Sequence, residues 1–139
     1  MKFFQMNRIV LIFTIAVAAF ACCSSELKAD WVEVQKYPIR IYRDTRTGLE
    51  WSVTITNAGN SNANAQNIVQ QYGLRLPTWD EFRDVVNNNN AINRLEMENG
   101  LLDLYETDDP DVLVGVFGGR VQTKRPRQKF TRTWVIGVR

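Results

Sequence analysis

The stretch GLRLPTWDEF, residues 73–82, decides how this chain is to be read, because it places an arginine, a proline, a tryptophan and two carboxylates within ten positions. Helix rules account for each of them. Thr78 and Glu81 have the spacing of a capping box, in which the threonine hydroxyl accepts from the backbone N–H three residues on and the glutamate reaches back. Asp80 and Glu81 fall in the first turn, where negative charge meets the positive end of the helix dipole. Pro77 drives Leu76 into an extended conformation and so aims the chain into the helix. Trp79, Phe82, Val85 and Val86 then share one side, predicted to face the core. The stretch reads as scaffold and not as a reaction centre.

Upstream, Ala65, Ile68, Val69 and Tyr72 repeat at helical spacing, with Ser61 or Asn62 as N-cap and Gly73 as the stop, which predicts an amphipathic helix with an Asn/Gln outer face. The asparagine run at residues 87–90 reads as a fraying helix end and loop. Period-two alternation predicts strands at WVEVQ (31–35), IRIYR (39–43) and LEWSVTI (49–55), with Leu49, Trp51, Val53 and Ile55 on one face. A tight turn, DTRTG, joins the second strand to the third. Near the other end, VLVGVF (112–117), Gly118-Gly119 and RVQTK (120–124) form a hairpin, since paired glycines supply the positive φ of a two-residue turn. FTRTWVIGV (130–138) is a last strand. The fold class is therefore α+β, with two central helices and antiparallel strands contributed by both chain ends.

Of the 139 residues, the first 21 read as a secretory signal: Lys2 and Arg8, an apolar run over residues 9–21 too short to span a bilayer, then small residues. Two processing rules meet at Cys22. Ala19-Phe20-Ala21 fits an A-x-A cleavage site, while a small residue before Cys22 also fits lipidation of that cysteine, and the two remain alternatives. Residues 22–29 form a spacer and 30–139 the domain. An exported bacterial protein is expected, in the periplasm, on the outer membrane as a lipoprotein, or secreted, with contact to a membrane only through a lipid at Cys22. The only cysteines are Cys22 and Cys23, so the domain has no disulfide to rely on.

From Asp30 onward the chain holds 14 basic and 14 acidic residues, which disfavours nucleic acid as a partner. Position matters more than total. Residues 96–111 carry seven carboxylates and no base, and residues 120–139 seven bases and no acid. Either the two segments neutralise each other or one serves a partner.

The chain has no histidine, which removes His-based acid–base chemistry, serine triads and ordinary zinc sites. No catalytic residues, metal or cofactor are assigned. Asp108, Asp109 and Asp111 flank Pro110 with oxygen ligands of the kind calcium takes, but without EF-hand spacing, and a solvated acidic loop is the plainer reading. TKRPRQK (123–129) is the best candidate for function. It sets Lys124, Arg125, Arg127 and Lys129 around Pro126 in an expected loop, with Arg120 and Arg132 nearby. Guanidinium forks suit sulfate, phosphate and carboxylate groups. A charged hairpin tip that merely protects a sheet edge is the competing reading.

DTRTGLEW (44–51), the alanine-containing helix AGNSNANAQNIVQQYG (58–73), LRLPTWDEF and the ending WVIGVR together resemble the C-terminal domain of the Legionella collagen-like adhesin family. The RLPT-x-x-E-F core is also similar to formylglycine-generating and sulfatase-modifying domains. Both resemblances imply a C-type-lectin-like fold. Leu74 stands where tryptophan is usual, the helix cysteine is absent, and the region between Asn99 and Asp111 is short. The body also lacks the cysteines on which the formylglycine-generating activity depends. The adhesin resemblance implies sulfated glycosaminoglycans as ligands. The expectation is a non-enzymatic binding module, with adhesion as its role, for an anionic polysaccharide or envelope polymer, through Arg120, Lys124, Arg125, Arg127, Lys129 and Arg132. The alternative is a structural or accessory subunit of a cell-envelope assembly, in which the acidic loop of one protein partner meets the basic hairpin of the next.

Overall fold

The computed structural model describes residues 31–98, 100, 103–127 and 132–139. The expected leader (residues 1–21) and spacer (22–29), Cys22 among them, and Lys129 lie outside the described residues. The fold is α+β. Strand β1 (Trp31–Gln35) pairs antiparallel with β2 (Ile41–Asp44), which pairs antiparallel with β3 (Glu50–Ser52) to make a three-stranded sheet. The turn after β2 closes as its residue types dictate: the Asp44 carboxylate accepts from Arg46 N–H (2.9 Å) and the Asp44 carbonyl from Gly48 N–H (2.7 Å).

The third predicted strand does not run through. After Ser52 the chain leaves the first sheet: Thr54 N–H donates to the Leu95 carbonyl and Ile55 N–H to Val135 (2.8 and 2.9 Å). It then forms β4 (Thr56–Asn57) at one edge of a five-stranded sheet. Trp51, Leu49 and Val53 accordingly pack in one core cluster and Ile55 against another, so the single face expected for these four residues is divided.

Helix α1 (Asn62–Gln70) is capped by Ser61, whose hydroxyl accepts from Asn64 N–H (3.2 Å). It ends in a Schellman motif. Leu74 N–H reaches the Val69 carbonyl and Gly73 N–H the Gln70 carbonyl, with Gly73 at φ +69°. Helix α2 (Trp79–Asn89) begins with the full capping box: Glu81 N–H donates to the Thr78 hydroxyl (3.1 Å) and Thr78 N–H to the Glu81 carboxylate (3.2 Å). Arg75 locks that glutamate with two hydrogen bonds of 2.9 Å, while its own backbone pairs with Val138. The opening stretch is thus a joint between helix and sheet. A third, short helix, α3 (Ala91–Arg94), follows at once.

Residues 103–111, expected as an acidic loop, instead begin with a strand. Strand β5 (Asp103–Glu106) lies at the centre of the larger sheet, whose order is β4, β8 (Thr133–Val135), β5, β6 (Val112–Phe117) and β7 (Arg120–Pro126). It pairs antiparallel with β6 (Val112–Phe117) and parallel with β8 (Thr133–Val135). Leu104 and Tyr105 carry it inward, and the alternation was masked in the sequence by Asp103 and Glu106. Gly118 and Gly119, at φ +58° and +76°, turn the chain into β7 (Arg120–Pro126), the outer strand. An edge position tolerates Pro126, whose missing N–H breaks no ladder there.

The last residues run on past β8 beside β3, with Ser52 N–H donating to Gly137 and Glu50 and Arg139 exchanging backbone hydrogen bonds. Segments from the two chain ends therefore meet. α1 packs against β8 and α2 against β6 and β7: Val135 shares a core cluster with Ala65 and Val69, and Ile136, just past β8, shares the other with Phe82, Val85 and Val86. Phe82 is the hinge of the larger cluster, with ring centroids 5.7 Å from both Trp51 and Tyr105. Among the described residues no helix is long and apolar enough to cross a membrane.

Candidate functional site

The basic run lies in a strand and not in a hairpin-tip loop, and that changes what each cation can do. Lys124 pairs with Val114 and Arg125 with Leu113, so the two neighbours project to opposite faces of β7. On the α2 side, the Lys124 ammonium stands 4.9 Å from the centre of the Trp79 ring, and the Arg83 guanidinium stands 4.8 Å from the same centre. On the other side, the Arg125 stem crosses Gly115, with its Cγ 3.6 Å from where a β-carbon there would sit. A β-carbon at that position would meet the arginine in ordinary van der Waals contact.

Arg127 behaves differently. It turns inward and grips Glu106, a wholly buried carboxylate, with Nη1 to Oε1 at 2.8 Å and Nη2 to Oε2 at 2.6 Å. Its remaining contacts are to the Asn60 side chain (2.6 Å) and the Pro110 carbonyl (3.0 Å). Asn62 donates to Glu106 Oε2 (3.1 Å) and Thr133 to Oε1 (2.8 Å), both from buried positions. Hydrogen bonding to Glu106 raises the Arg127 pKa further, against a smaller opposing effect of burial. This is a structural centre tying α1, β5, β8 and the end of β7 together. Arg127, expected as a ligand contact, has its guanidinium donors committed inside the protein. Asn62, expected with Ser61 as one of two N-cap candidates, is instead the first residue of α1 and one of the residues that holds Glu106.

Arg120 closes the hairpin opposite Phe117 and is exposed, as is Arg132 immediately before β8. Three strand steps of about 4.8 Å separate β8 from β7, which places Arg132 about 14 Å across the sheet from the hairpin. Lys129 is outside the described residues. The structure thus brings Arg120, Lys124 and Arg125 together on one strand, moves Arg132 away and withdraws Arg127. Arg83 of α2 joins Lys124 at Trp79, a contribution that strand and helix periodicity alone do not reveal. Asn87, in the asparagine run, has a latch role: its side-chain oxygen accepts from Val121 N–H (3.0 Å) and fixes β7 to α2.

Pairing separates the arginines sharply. Arg43, Arg46, Arg75, Arg127 and Arg139 each hydrogen-bond a carboxylate. Among the described residues, Arg120, Lys124, Arg125 and Arg132 belong to no ion pair. Asp108, Asp109 and Asp111 are exposed, and Asp109 accepts from Asp111 N–H (2.9 Å) in a turn of their own. Among the described residues no group of three or more candidate side chains is arranged to hold a metal ion.

No protein-family model matches the chain, and no match is found among curated proteins or solved structures.

Proposed function

We propose that this chain is an extracytoplasmic, non-catalytic binding module with a C-type-lectin-like arrangement of its α+β fold, and that it takes an anionic glycan or envelope polymer on β7. The observation that carries this reading is the set of exposed cations on one strand, Arg120, Lys124 and Arg125, that belong to no ion pair among the described residues, in a protein whose other arginines mostly grip carboxylates. Guanidinium is weakly hydrated and exchanges its water for sulfate or carboxylate oxygens two at a time, while the Lys124 ammonium adds a point charge. Arg132 offers a second point of attachment across the sheet, at a separation that suits an extended polymer and not a small anion. The leader at residues 1–21 and Cys22 support an envelope location, as does the resemblance to secreted adhesin domains.

The test is retention on an immobilised sulfated polysaccharide. The wild-type chain is expected to elute late and earlier with rising salt, because exposed charges are screened within about 10 Å at 0.1 M salt. A Lys124→Ala, Arg125→Ala double variant is expected to elute early. Equal retention of that variant removes the proposal. Mass spectrometry of the mature N-terminus distinguishes a lipidated Cys22 from a plain cleavage.

A further inference from the structure

A separate concavity of about 330 Å³ opens between β1, β2 and α3, away from β7. Its chemistry is mixed: the rings of Trp31 and Tyr42, the guanidinium groups of Arg40 and Arg94, and the amides of Asn90 and Asn93. Arg94 stands 5.3 Å from the centre of the Tyr42 ring, and Tyr42 itself is nearly buried, so the floor is fixed. Among the described residues that line it, Glu96 on the rim is the only carboxylate, 3.6 Å from Arg40. Neither guanidinium makes the short carboxylate hydrogen bond seen at Arg43, Arg75 and Arg139. Arg43, Arg75 and Arg139 make hydrogen bonds of 2.7 to 2.9 Å to carboxylates, whereas the Arg40–Glu96 pair is longer and both of its side chains are more than half exposed.

The backbone around this concavity is held in an uncommon form. α3 lies between two non-glycine residues in the left-handed region, Asn90 at φ +48° and Glu96 at φ +51°, and both line the concavity. Glu96 occupies the position after α3 at which a helix stop favours glycine: Met97 N–H reaches the Ile92 carbonyl and Glu96 N–H the Asn93 carbonyl. Glycine would hold that turn at lower conformational cost. The exposed ion pair with Arg40 offsets little of the difference, so stability does not account for a glutamate here. Buried Ala91, Ile92 and Leu95 anchor the turn from below, which presents Asn93, Arg94 and Glu96 on a rigid support.

We propose that this concavity is a second binding site, for a carboxylated sugar of the uronic acid class, with its carboxylate between Arg40 and Arg94, its hydroxyls on Asn90 and Asn93, and its ring against Trp31. Aromatic faces cover the C–H surface of a sugar, amides exchange hydrogen bonds with its hydroxyls, and two guanidinium groups against one carboxylate leave a net positive charge for an acid. Glu96 competes for Arg40 and sets the affinity.

The probe is sodium D-glucuronate, titrated calorimetrically into the full-length chain, with D-glucose and the methyl ester of glucuronic acid as neutral comparisons. One-to-one binding of glucuronate is expected, with little or none of the neutral sugars. Arg94→Gln should weaken it roughly tenfold through loss of a charge-assisted contact. Glu96→Gln should tighten it several-fold, a gain that a misfolded variant cannot mimic. The Lys124→Ala, Arg125→Ala variant should bind glucuronate as the wild type does, which separates this site from the one on β7. No binding of glucuronate, equal binding of its ester, or no change in Glu96→Gln overturns the proposal.

Discussion

Arg127 and Glu106, 21 residues apart in the chain, form a two-pronged ion pair of 2.6 and 2.8 Å in which the carboxylate is completely buried and the guanidinium largely so. One arginine of a basic run thus neutralises one carboxylate of the acidic segment within the same molecule. Removing only the cation is more damaging than removing both charges, because an unpartnered buried carboxylate remains. Arg127→Ala is expected to cost about 3 kcal/mol, read as a lowered denaturant midpoint at unchanged slope. Pairing it with Glu106→Leu should recover much of that loss. An Arg127→Ala protein as stable as wild type would show the pair to be ornamental.

The capping box gives a smaller and cleaner effect. Thr78→Ala removes the acceptor for Glu81 N–H and should destabilise by about 1 kcal/mol, while Thr78→Ser should retain nearly full stability. Thermal unfolding of the two variants side by side checks this. Equal losses in both would implicate the threonine methyl group and not the hydroxyl.

Neither Gly137 nor Gly115 lies in the left-handed region, yet they should respond differently to a methyl group. A β-carbon at Gly137 would lie 2.7 Å from Leu74 Cδ1 and 2.8 Å from Leu74 Cβ, too close to the backbone of Leu74 for the clash to swing aside. Gly137→Ala should cost about 1–3 kcal/mol through overpacking. At Gly115 the nearest atoms stand at 3.6 to 3.8 Å, ordinary contact, and Gly115→Ala should stay within about 0.5 kcal/mol of wild type. Chemical denaturation curves distinguish the two.

Stability should fall at both ends of the pH scale for identifiable reasons. Hydrogen bonds from Arg139, then Arg43, hold the Glu50 carboxyl below its ordinary 4.5. Burial pushes Glu81 upward, but Arg75 and the Thr78 cap outweigh it, and its pKa is also lowered. Since the unfolded chain binds protons more readily at these groups, their stabilisation is complete above pH 4.5 and is lost as pH falls through the lowered folded-state values. Tyr105 acts at the other end. Burial raises its phenol above the ordinary 10.0, so the folded state is favoured below that pH and loses ground as pH rises beyond it. Thermal midpoints measured against pH should show both limbs, with Glu50→Gln flattening the acid limb and Tyr105→Phe the alkaline one.

Much of the local structure is legible in the sequence. The Thr78–Glu81 box, the Gly73 stop, the Gly118-Gly119 hairpin turn and the inward side of α2 all depend on residues within a few positions of one another, and their physics is complete at that range. The break after Ser52 was not legible, because Leu49, Trp51, Val53 and Ile55 alternate without interruption. Only the competing hydrogen bonds from Thr54 N–H and Ile55 N–H to the Leu95 and Val135 carbonyls draw the chain into another sheet. β5 was hidden for a related reason: Glu106 looks like a solvated acid until Arg127, Asn62 and Thr133 are seen to satisfy it.

For the surface the division is the same. Composition by itself determined that residues 120–139 are basic and carry no acid, that histidine chemistry is absent and that the domain holds together without disulfides. Which of those cations faces solvent was decided by tertiary structure alone. Strand pleating sends Lys124 and Arg125 to opposite faces, and Arg127 is turned inward by a carboxylate that reaches it only when β5 and the end of β7 lie side by side. Charge is a property of a residue, but its availability depends on what the fold places within hydrogen-bonding distance.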